Sequence, residues 1–164
     1  MSGGLLIWLS EVFGKLIFNL EGQIVEEIAS VNAMAVVAGT VVSFIIGWFW
    51  YSPSCFGTKW AQGSGISLEK PEKMPMFRML AQLVSLFLLA LVVGVTANAN
   101  ALTTKILAIL AAAMVTVSGG AWTNKSSFAL GVDFFYIVVS GAVMIAAQGG
   151  TVKKPDSVSI EAKV

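Results

Sequence analysis

Asp133 is the residue in this sequence whose type and setting most suggest chemistry. It lies in the stretch ALGVDFFYIVVSGAVMIA, near the start of an apolar run long enough to cross a bilayer. A charge at mid-bilayer costs about 2.5–3.5 kcal/mol, so an intramembrane carboxylate is a candidate functional site. Near a helix N-terminus the cost falls, because the helix dipole favours an anion. Two roles stay open for Asp133, a structural role at the helix start and a proton or ion site, with Lys125 or Lys105 as its cationic partner.

Other residues suited to catalysis or metal binding are scarce. The chain has no histidine and one cysteine, Cys55, which excludes histidine-based acid–base catalysis, histidine-ligated haem and the usual zinc sites. No nucleophile elbow, phosphate loop or pair of acidic residues accompanies the serines and lysines. We expect Cys55 to pack, with palmitoylation as the alternative. The sequence therefore predicts no enzyme, no catalytic residues, no cofactor and no metal site.

The composition is that of a membrane protein. Of the 164 residues, 57% are hydrophobic and 12% are charged, which is far from the balance of a soluble domain. The net charge is +1 and no long basic run occurs, so no nucleic-acid partner is expected.

Four stretches are long and apolar enough to cross a bilayer as helices, since about 20 helical residues span its hydrocarbon core. They cover residues 33–51, 76–97, 104–122 and 128–147. Short polar turns separate the last three, which predicts that these spans are antiparallel neighbours. The expected fold is all-α, a four-helix transmembrane bundle over residues 31–148.

The two ends of the chain lie outside these spans. Residues 1–30 place apolar side chains on one face of a helix and charged ones on another. This pattern predicts an N-terminal amphipathic helix lying in the membrane interface, with docking on a partner subunit as the alternative. Residues 149–164 form a polar C-terminal tail, which we expect to be flexible or ordered by a partner.

Small residues recur at every fourth position in two of the spans. They are Ala35, Gly39, Ser43 and Gly47 in the first span and Ala108, Ala112, Thr116 and Gly120 in the third. Helices in a bilayer associate through close backbone packing, which favours such stripes. We expect both stripes to be contact faces, either within one chain or between copies in a homo-oligomer.

Residues 47–60, GWFWYSPSCFGTKW, concentrate aromatic side chains around one proline. Tryptophan and tyrosine favour the headgroup level, so the stretch predicts where the first span meets the membrane surface. Ser52 is a candidate N-cap and Pro53 a candidate first residue of a short following helix. In that helix Phe56 and Trp60, four residues apart, would pair. The predicted interface anchors are Trp48, Trp50, Tyr51, Pro53, Phe56 and Trp60, and an aromatic ligand pocket is the alternative.

The same stretch resembles the G-x-x-W-Y-S-P-x-x-F-G-x-x-W signature of the small integral membrane family called domain of unknown function 1761. VNAMAVV is similar to the Val-Asn start of that family. The stretch with Asp133, Tyr136 and Gly141 is similar to its last span. The resemblance covers roughly residues 31–148 and implies a four-span fold without implying any chemistry. The N-terminal helix and the C-terminal tail depart from the family pattern.

These observations predict a non-catalytic, multi-pass integral membrane protein that acts as a structural or accessory subunit of a hetero-complex or homo-oligomer. Its expected partners are membrane lipid and other membrane subunits or copies of itself. The alternative is a small-solute or ion transporter or channel, in which Asp133 with Gln82, Asn98 and Asn100 forms a polar path. Lys and Arg divide evenly between the two ends of the bundle, which predicts no orientation.

Overall fold

The computed structural model describes residues 3–67, 76–98 and 101–149, with side chains placed for residues 11–67, 76–97 and 101–149. In this part of the chain there are six helices and no strands. They are α1 (Gly3–Ala29), α2 (Ala33–Trp50), α3 (Gly57–Gly63), α4 (Met76–Asn98), α5 (Leu102–Trp122) and α6 (Ser127–Gly149). Four of them, α2, α4, α5 and α6, are long and apolar enough to cross a membrane. The predicted four-span bundle is confirmed, and the predicted span ends agree with the helix ends to within two residues. The predicted tail lies outside the described residues, apart from Gly149.

The fourth span, α6, lies at the centre of the bundle. It packs against α2, α3, α4 and α5, and α4 also packs against both α2 and α5. The predicted neighbours α4 and α5, and α5 and α6, are in contact, as their short connections require. A buried core joins the four spans and consists of Val36, Leu86, Ala90, Val93, Ile109, Tyr136 and Met144.

A short connection joins α1 to the bundle. Asn32 caps α2, since its Oδ1 accepts a hydrogen bond of 3.1 Å from the backbone nitrogen of Ala35. Such a cap satisfies one of the free N–H groups at a helix start. Only residues 30–32 separate α1 from α2, so the end of α1 lies at the end of the bundle where α2 begins. There α1 contacts α4.

The small-residue stripe of α2 is buried along its whole length, at Ala35, Gly39, Ser43 and Gly47. It faces α6: a Cβ on Gly39 would lie 3.3 Å from Met144 Cγ, and one on Gly47 would lie 2.6 Å from Tyr136 Oη. The Ser43 hydroxyl donates to the carbonyl of Ser140 over 3.4 Å. Small side chains on α2 thus let the two helices approach closely.

The stripe of α5 is only partly turned inward. Gly120 is buried, Ala108 and Ala112 are half-buried, and Thr116 is exposed. The most buried positions of α5 are Ile109, Ala113 and Gly120. The expected contact face is therefore displaced by one position over most of its length. Ile109 explains the shift, because its side chain fills the space left by the missing Cβ of Gly141. A large residue packed against a glycine replaces small-against-small contact here.

The chain after α2 also differs from expectation in detail. Residues 51–56 form turns, and the short helix α3 begins at Gly57, so Ser52 does not cap it. A Cβ on Gly57 would collide with the carbonyl oxygens of Tyr51 and Ser52, which explains the need for glycine in this tight turn. Phe56 packs on Trp50, at 4.8 Å between ring centroids, in place of the predicted pairing with Trp60.

Candidate functional site

Asp133 lies near the start of α6 and is almost completely buried, with 4% of its surface exposed. Three side chains donate to its carboxylate. Tyr51 Oη lies 2.9 Å and Trp60 Nε1 lies 2.8 Å from Oδ1. Lys125 Nζ lies 2.7 Å from Oδ2 and forms a salt bridge with it. We refer to Asp133, Lys125, Tyr51 and Trp60 as the Asp133 cluster.

Three different elements supply the donors of the Asp133 cluster. Tyr51 directly follows α2, Trp60 lies on α3, and Lys125 lies in the turn between α5 and α6. That turn contains Asn124 in the left-handed conformation, with φ at 58°, which asparagine adopts more readily than most residues. Lys125 follows it and points back to Asp133, so the cluster ties the end of α2, α3 and the α5–α6 turn to α6.

The short helix α3 is held against the start of α6 by more than the indole of Trp60. The backbone nitrogen of Ser126 donates to the carbonyl of Gly63 over 2.7 Å. A Cβ on Gly63 would collide with the Ser126 side chain, so glycine permits this approach. Ala61 is buried, with 1% of its surface exposed. These contacts fix the position from which Trp60 reaches Asp133.

Aromatic rings pack around the cluster. The rings of Tyr51 and Trp60 lie 4.8 Å apart between centroids, and those of Tyr51 and Tyr136 lie 5.3 Å apart, both in edge-to-face geometry. This is a favourable arrangement for aromatic pairs. Trp50 Nε1 donates to the carbonyl of Val132 over 3.2 Å. The rings therefore hold the end of α2 to the start of α6 through both apolar and polar contacts.

A second set of polar contacts lies deeper in the bundle. Tyr136 Oη donates to the carbonyl of Ser43 over 3.2 Å, and Gln82 Nε2 lies 3.5 Å from the same hydroxyl. Asn98 is the last residue of α4, at the opposite end of the bundle from Asp133, and Asn100 lies outside the described residues. Of the predicted polar path, Gln82 thus reaches Tyr136, and Asn98 is not gathered with Asp133.

The electrostatics of the cluster favour a fixed charge pair. The side chain of Asp133 is 5% exposed and that of Lys125 is 23% exposed. A salt bridge removed from water persists only with good geometry and further hydrogen bonds, which Tyr51 and Trp60 supply. Burial raises the pKa of the Tyr51 hydroxyl well above its usual value, and the charge of Asp133 raises it further. Tyr51 therefore stays protonated and acts as a donor.

The arrangement suits stabilising a buried carboxylate rather than holding a metal. Both oxygens of Asp133 already accept hydrogen bonds from the protein, which leaves little of their acceptor capacity unused. In the described part of the chain, no three side chains of Asp, Glu, Cys or His come together as metal ligands would. Of the two lysines suggested as partners, Lys125 makes the contact, whereas Lys105 lies in the first turn of α5, at the other end of the bundle.

The predicted interface anchors divide into two groups. Trp50, Tyr51 and Trp60 are half-buried, and each directs its polar atom to α6. The exposed members are Trp48, Pro53 and Phe56, and Trp48 exposes 82% of its surface. Trp48 is thus free to face lipid, whereas the indole nitrogens of Trp50 and Trp60 have protein partners. Cys55, next to these residues, is half-buried.

The donor role of Tyr51 and Trp60 was not expected from the sequence. One signal could have suggested it: the aromatic motif and the carboxylate of the last span belong to the same family pattern. Two indole or phenol donors in one short motif would complement a single buried carboxylate elsewhere in the chain.

Comparison with known families gives one match over most of the chain. The profile of the family described as protein of unknown function (DUF1761) matches residues 34–149. The chain belongs to this family. The DUF1761 region contains the whole Asp133 cluster and almost all of the four spans, and it leaves out α1. No curated protein and no solved structure shows significant similarity to the chain.

Proposed function

We propose that this DUF1761 protein is a non-catalytic integral membrane protein that serves as a structural or accessory subunit of a membrane assembly. The observation that carries the proposal is α1. This helix of 27 residues precedes the family-matched region, and its residues 11–29 are all exposed although many are large and apolar. An exposed apolar surface of this size marks an interaction site with protein or lipid.

The Asp133 cluster supports a structural role for the bundle itself. A transport site would have to exchange the partners of Asp133 for a solute. The carboxylate instead accepts three donors from its own chain, and Lys125 occupies the position that a cation would take. Paired and hydrogen-bonded in this way, Asp133 holds the end of α2, α3 and the α5–α6 turn against α6.

Native mass spectrometry of the full chain, released from its own membrane in mild detergent, tests the proposal. We expect the protein to leave the membrane in a complex with other subunits or further copies. A variant with Ile17→Asn and Leu20→Asn on α1 should lose that complex, and Lys15→Gln is the matched control on the polar side of the same helix. A protein that is strictly monomeric, with no co-purifying subunit, would contradict the proposal.

The transporter reading is tested separately. Proteoliposomes with the wild-type protein, and separate proteoliposomes with the Asp133→Asn variant, should both show the same solute and proton flux as empty liposomes. A flux that the wild type supports and Asp133→Asn abolishes would replace the structural role with transport.

A further inference from the structure

Three polar side chains lie on one exposed side of the span α4. Arg78, Gln82 and Ser85 follow one another at intervals of four and three residues, so they share one side of the helix. All three are exposed. Polar and charged side chains on a membrane span are costly in contact with lipid tails. This strip therefore indicates a polar partner.

The polar strip faces α5 rather than α2. The opposite side of α4 carries Leu83, Val84 and Phe87, which line an apolar groove with residues of α2. At about 100° per residue, the polar strip lies about 180° away from these three side chains around the α4 axis. Because α4 packs against both α2 and α5, the side away from α2 is the side of α5.

The exposure of α5 shows where the two helices separate. One side of α5 carries Lys105, Ala108, Ala112, Thr116 and Gly119. The first three are half-buried, whereas Thr116 and Gly119 are exposed, and nothing lies within 4 Å of a Cβ added to Gly119. The two helices are close at the other end, since α5 begins four residues after α4 ends. A cleft between them therefore opens toward the end of the bundle that contains Asp133, with α6 behind it.

We define the α4–α5 cleft by five residues, which are Arg78, Gln82 and Ser85 on α4 and Thr116 and Gly119 on α5. Its two hydroxyls already donate to carbonyls of their own helices, over 2.8 and 2.9 Å. Gln82 places Nε2 3.5 Å from Tyr136 Oη and keeps a second N–H on the same nitrogen. Among the described side chains, no carboxylate pairs with Arg78. The cleft thus offers a guanidinium and an amide N–H to a ligand.

The order of these groups through the bilayer matches that of a phospholipid. Arg78 lies in the first turn of α4, at the end of the span. At about 1.5 Å per residue, Gln82 is about 6 Å deeper and Val92 about 21 Å deeper. Phosphate, ester carbonyls and acyl chains follow in the same order in a lipid leaflet. Arginine binds phosphate through paired hydrogen bonds, and Val92 and Val115, which expose 44% and 73% of their surface, offer apolar contact to an acyl chain.

The shape of the cleft favours a lipid over a further membrane helix. A helix is about 10 Å across and has to run through the whole bilayer. The cleft closes where Ala108 and Ala112 become half-buried, so only its outer half is open. A lipid molecule occupies a single leaflet and can enter such a cleft from the side.

We propose that the α4–α5 cleft binds one phospholipid molecule from the leaflet at the Asp133 end of the bundle, with its phosphate on Arg78 and its ester groups at Gln82. Basic pockets between membrane helices are known to bind lipid headgroups. The proposal goes beyond the proposed subunit role, which concerns α1, and does not depend on it.

Native mass spectrometry of the full chain in mild detergent, titrated with phosphatidylglycerol, tests the role of Arg78. The wild type should bind the first lipid molecule more tightly than later ones. Arg78→Gln should raise the dissociation constant of that first molecule about tenfold, because the charged donor to the phosphate is lost.

Lys59→Gln is the matched control for Arg78→Gln. Lys59 is a cation at the same end of the bundle, but it lies 6.0 Å from the centroid of the Phe128 ring, outside the cleft. Its loss should change the dissociation constant by no more than about twofold. Equal effects of the two substitutions would overturn the proposal.

Filling the cleft gives a second test that leaves Arg78 in place. Gly119→Phe should raise the dissociation constant of the first phosphatidylglycerol at least about tenfold, because the new ring occupies the space of the lipid. Ser118→Phe is the control, since Ser118 is exposed and about 100° away around α5, outside the cleft. Both variants should keep the helical circular dichroism of the wild type. A folded Gly119→Phe variant that binds the lipid like the wild type would overturn the cleft as the site.

Two partial ligands distinguish a lipid from other sources of the same chemistry. Glycerol 3-phosphate lacks acyl chains and diacylglycerol lacks the phosphate, so each should bind at least about tenfold more weakly than phosphatidylglycerol. Equal binding of glycerol 3-phosphate would show a soluble phosphate ligand, and equal binding of diacylglycerol would show that Arg78 takes no part. A second protein chain that is retained by the wild type and lost with Arg78→Gln would assign the cleft to a membrane helix. Each of these three results would overturn the phospholipid site and leave the proposed role of α1 untouched.

Discussion

Trp60 and Asp133 are 73 residues apart in sequence, and the indole nitrogen of Trp60 donates to Oδ1 of Asp133 over 2.8 Å. Through this bond a surface helix outside the spans is attached to a carboxylate buried within one. Hydrogen bonds to charged groups contribute more than those between neutral groups. Trp60 is therefore both an aromatic residue just outside the spans and a polar partner of the bundle interior.

Trp60→Phe should destabilise the protein by about 1–3 kcal/mol, because the ring is kept while the donor to a buried carboxylate is lost. Unfolding by titration with SDS in mixed micelles measures the change. Trp48→Phe is the matched control, since Trp48 is 82% exposed, and it should change stability by no more than about 0.5 kcal/mol. If Trp60→Phe and Trp48→Phe change the free energy of unfolding equally, the hydrogen bond from the Trp60 indole to Asp133 contributes nothing to stability.

Lys125→Met should destabilise more strongly, by about 3–5 kcal/mol, because it leaves Asp133 buried without its counter-charge. Adding Asp133→Asn should recover part of this loss, since the remaining group is then neutral. The same SDS titration on the two single variants and the double variant gives the coupling free energy. If the changes in unfolding free energy of the two single variants simply add in the double variant, Lys125 and Asp133 do not interact directly in the membrane.

Gly47→Ala should weaken the contact between α2 and α6. The new methyl group would lie 2.6 Å from Tyr136 Oη, which forces a shift in a closely packed interface. Gly119→Ala on α5 is the control: nothing lies within 4 Å of the added Cβ, so this change should stabilise the helix by about 0.5–1 kcal/mol. In the SDS titration, Gly47→Ala should lower the free energy of unfolding and Gly119→Ala should raise it.

The turn before Lys125 depends on the left-handed conformation of Asn124. Asn124→Gly should be tolerated, whereas Asn124→Val should cost about 1–2 kcal/mol, since a β-branched residue is strained at this φ. In a Lys125→Met background the penalty of Asn124→Val should persist, because the strain is in the backbone. A Val variant as stable as the Gly variant would show that the turn adopts another conformation in the membrane.

Brominated lipids should distinguish the exposed from the inward-facing tryptophans. In variants that retain one tryptophan, Trp48 should be quenched strongly by bromines near the headgroups, because 82% of its surface is exposed. Trp60 should be quenched less, because its ring is half-buried against Tyr51. Stronger quenching of Trp60 than of Trp48 would place α3 away from α6. A saturable fluorescence change on adding a small molecule would instead favour an aromatic ligand pocket.

The sequence by itself determined the spans and one of the contact stripes. Span limits follow from the length of apolar runs, because a bilayer sets the number of helical residues needed to cross it. The stripe of α2 was readable for a similar reason: four small residues at every fourth position can only lie on one face of a helix. Asp133 was a candidate because a carboxylate within a span is rare whatever surrounds it.

Only the tertiary structure decided which groups meet at Asp133 and how α5 is turned. The sequence predicted Trp60 and Tyr51 as membrane anchors, because indole and phenol groups suit a headgroup region and a buried carboxylate equally well. The choice between the two depends on a residue 73 or 82 positions away. The rotation of α5 likewise depends on the fit of Ile109 against Gly141. Periodicity within one helix carries no information about the side chain that it meets on another.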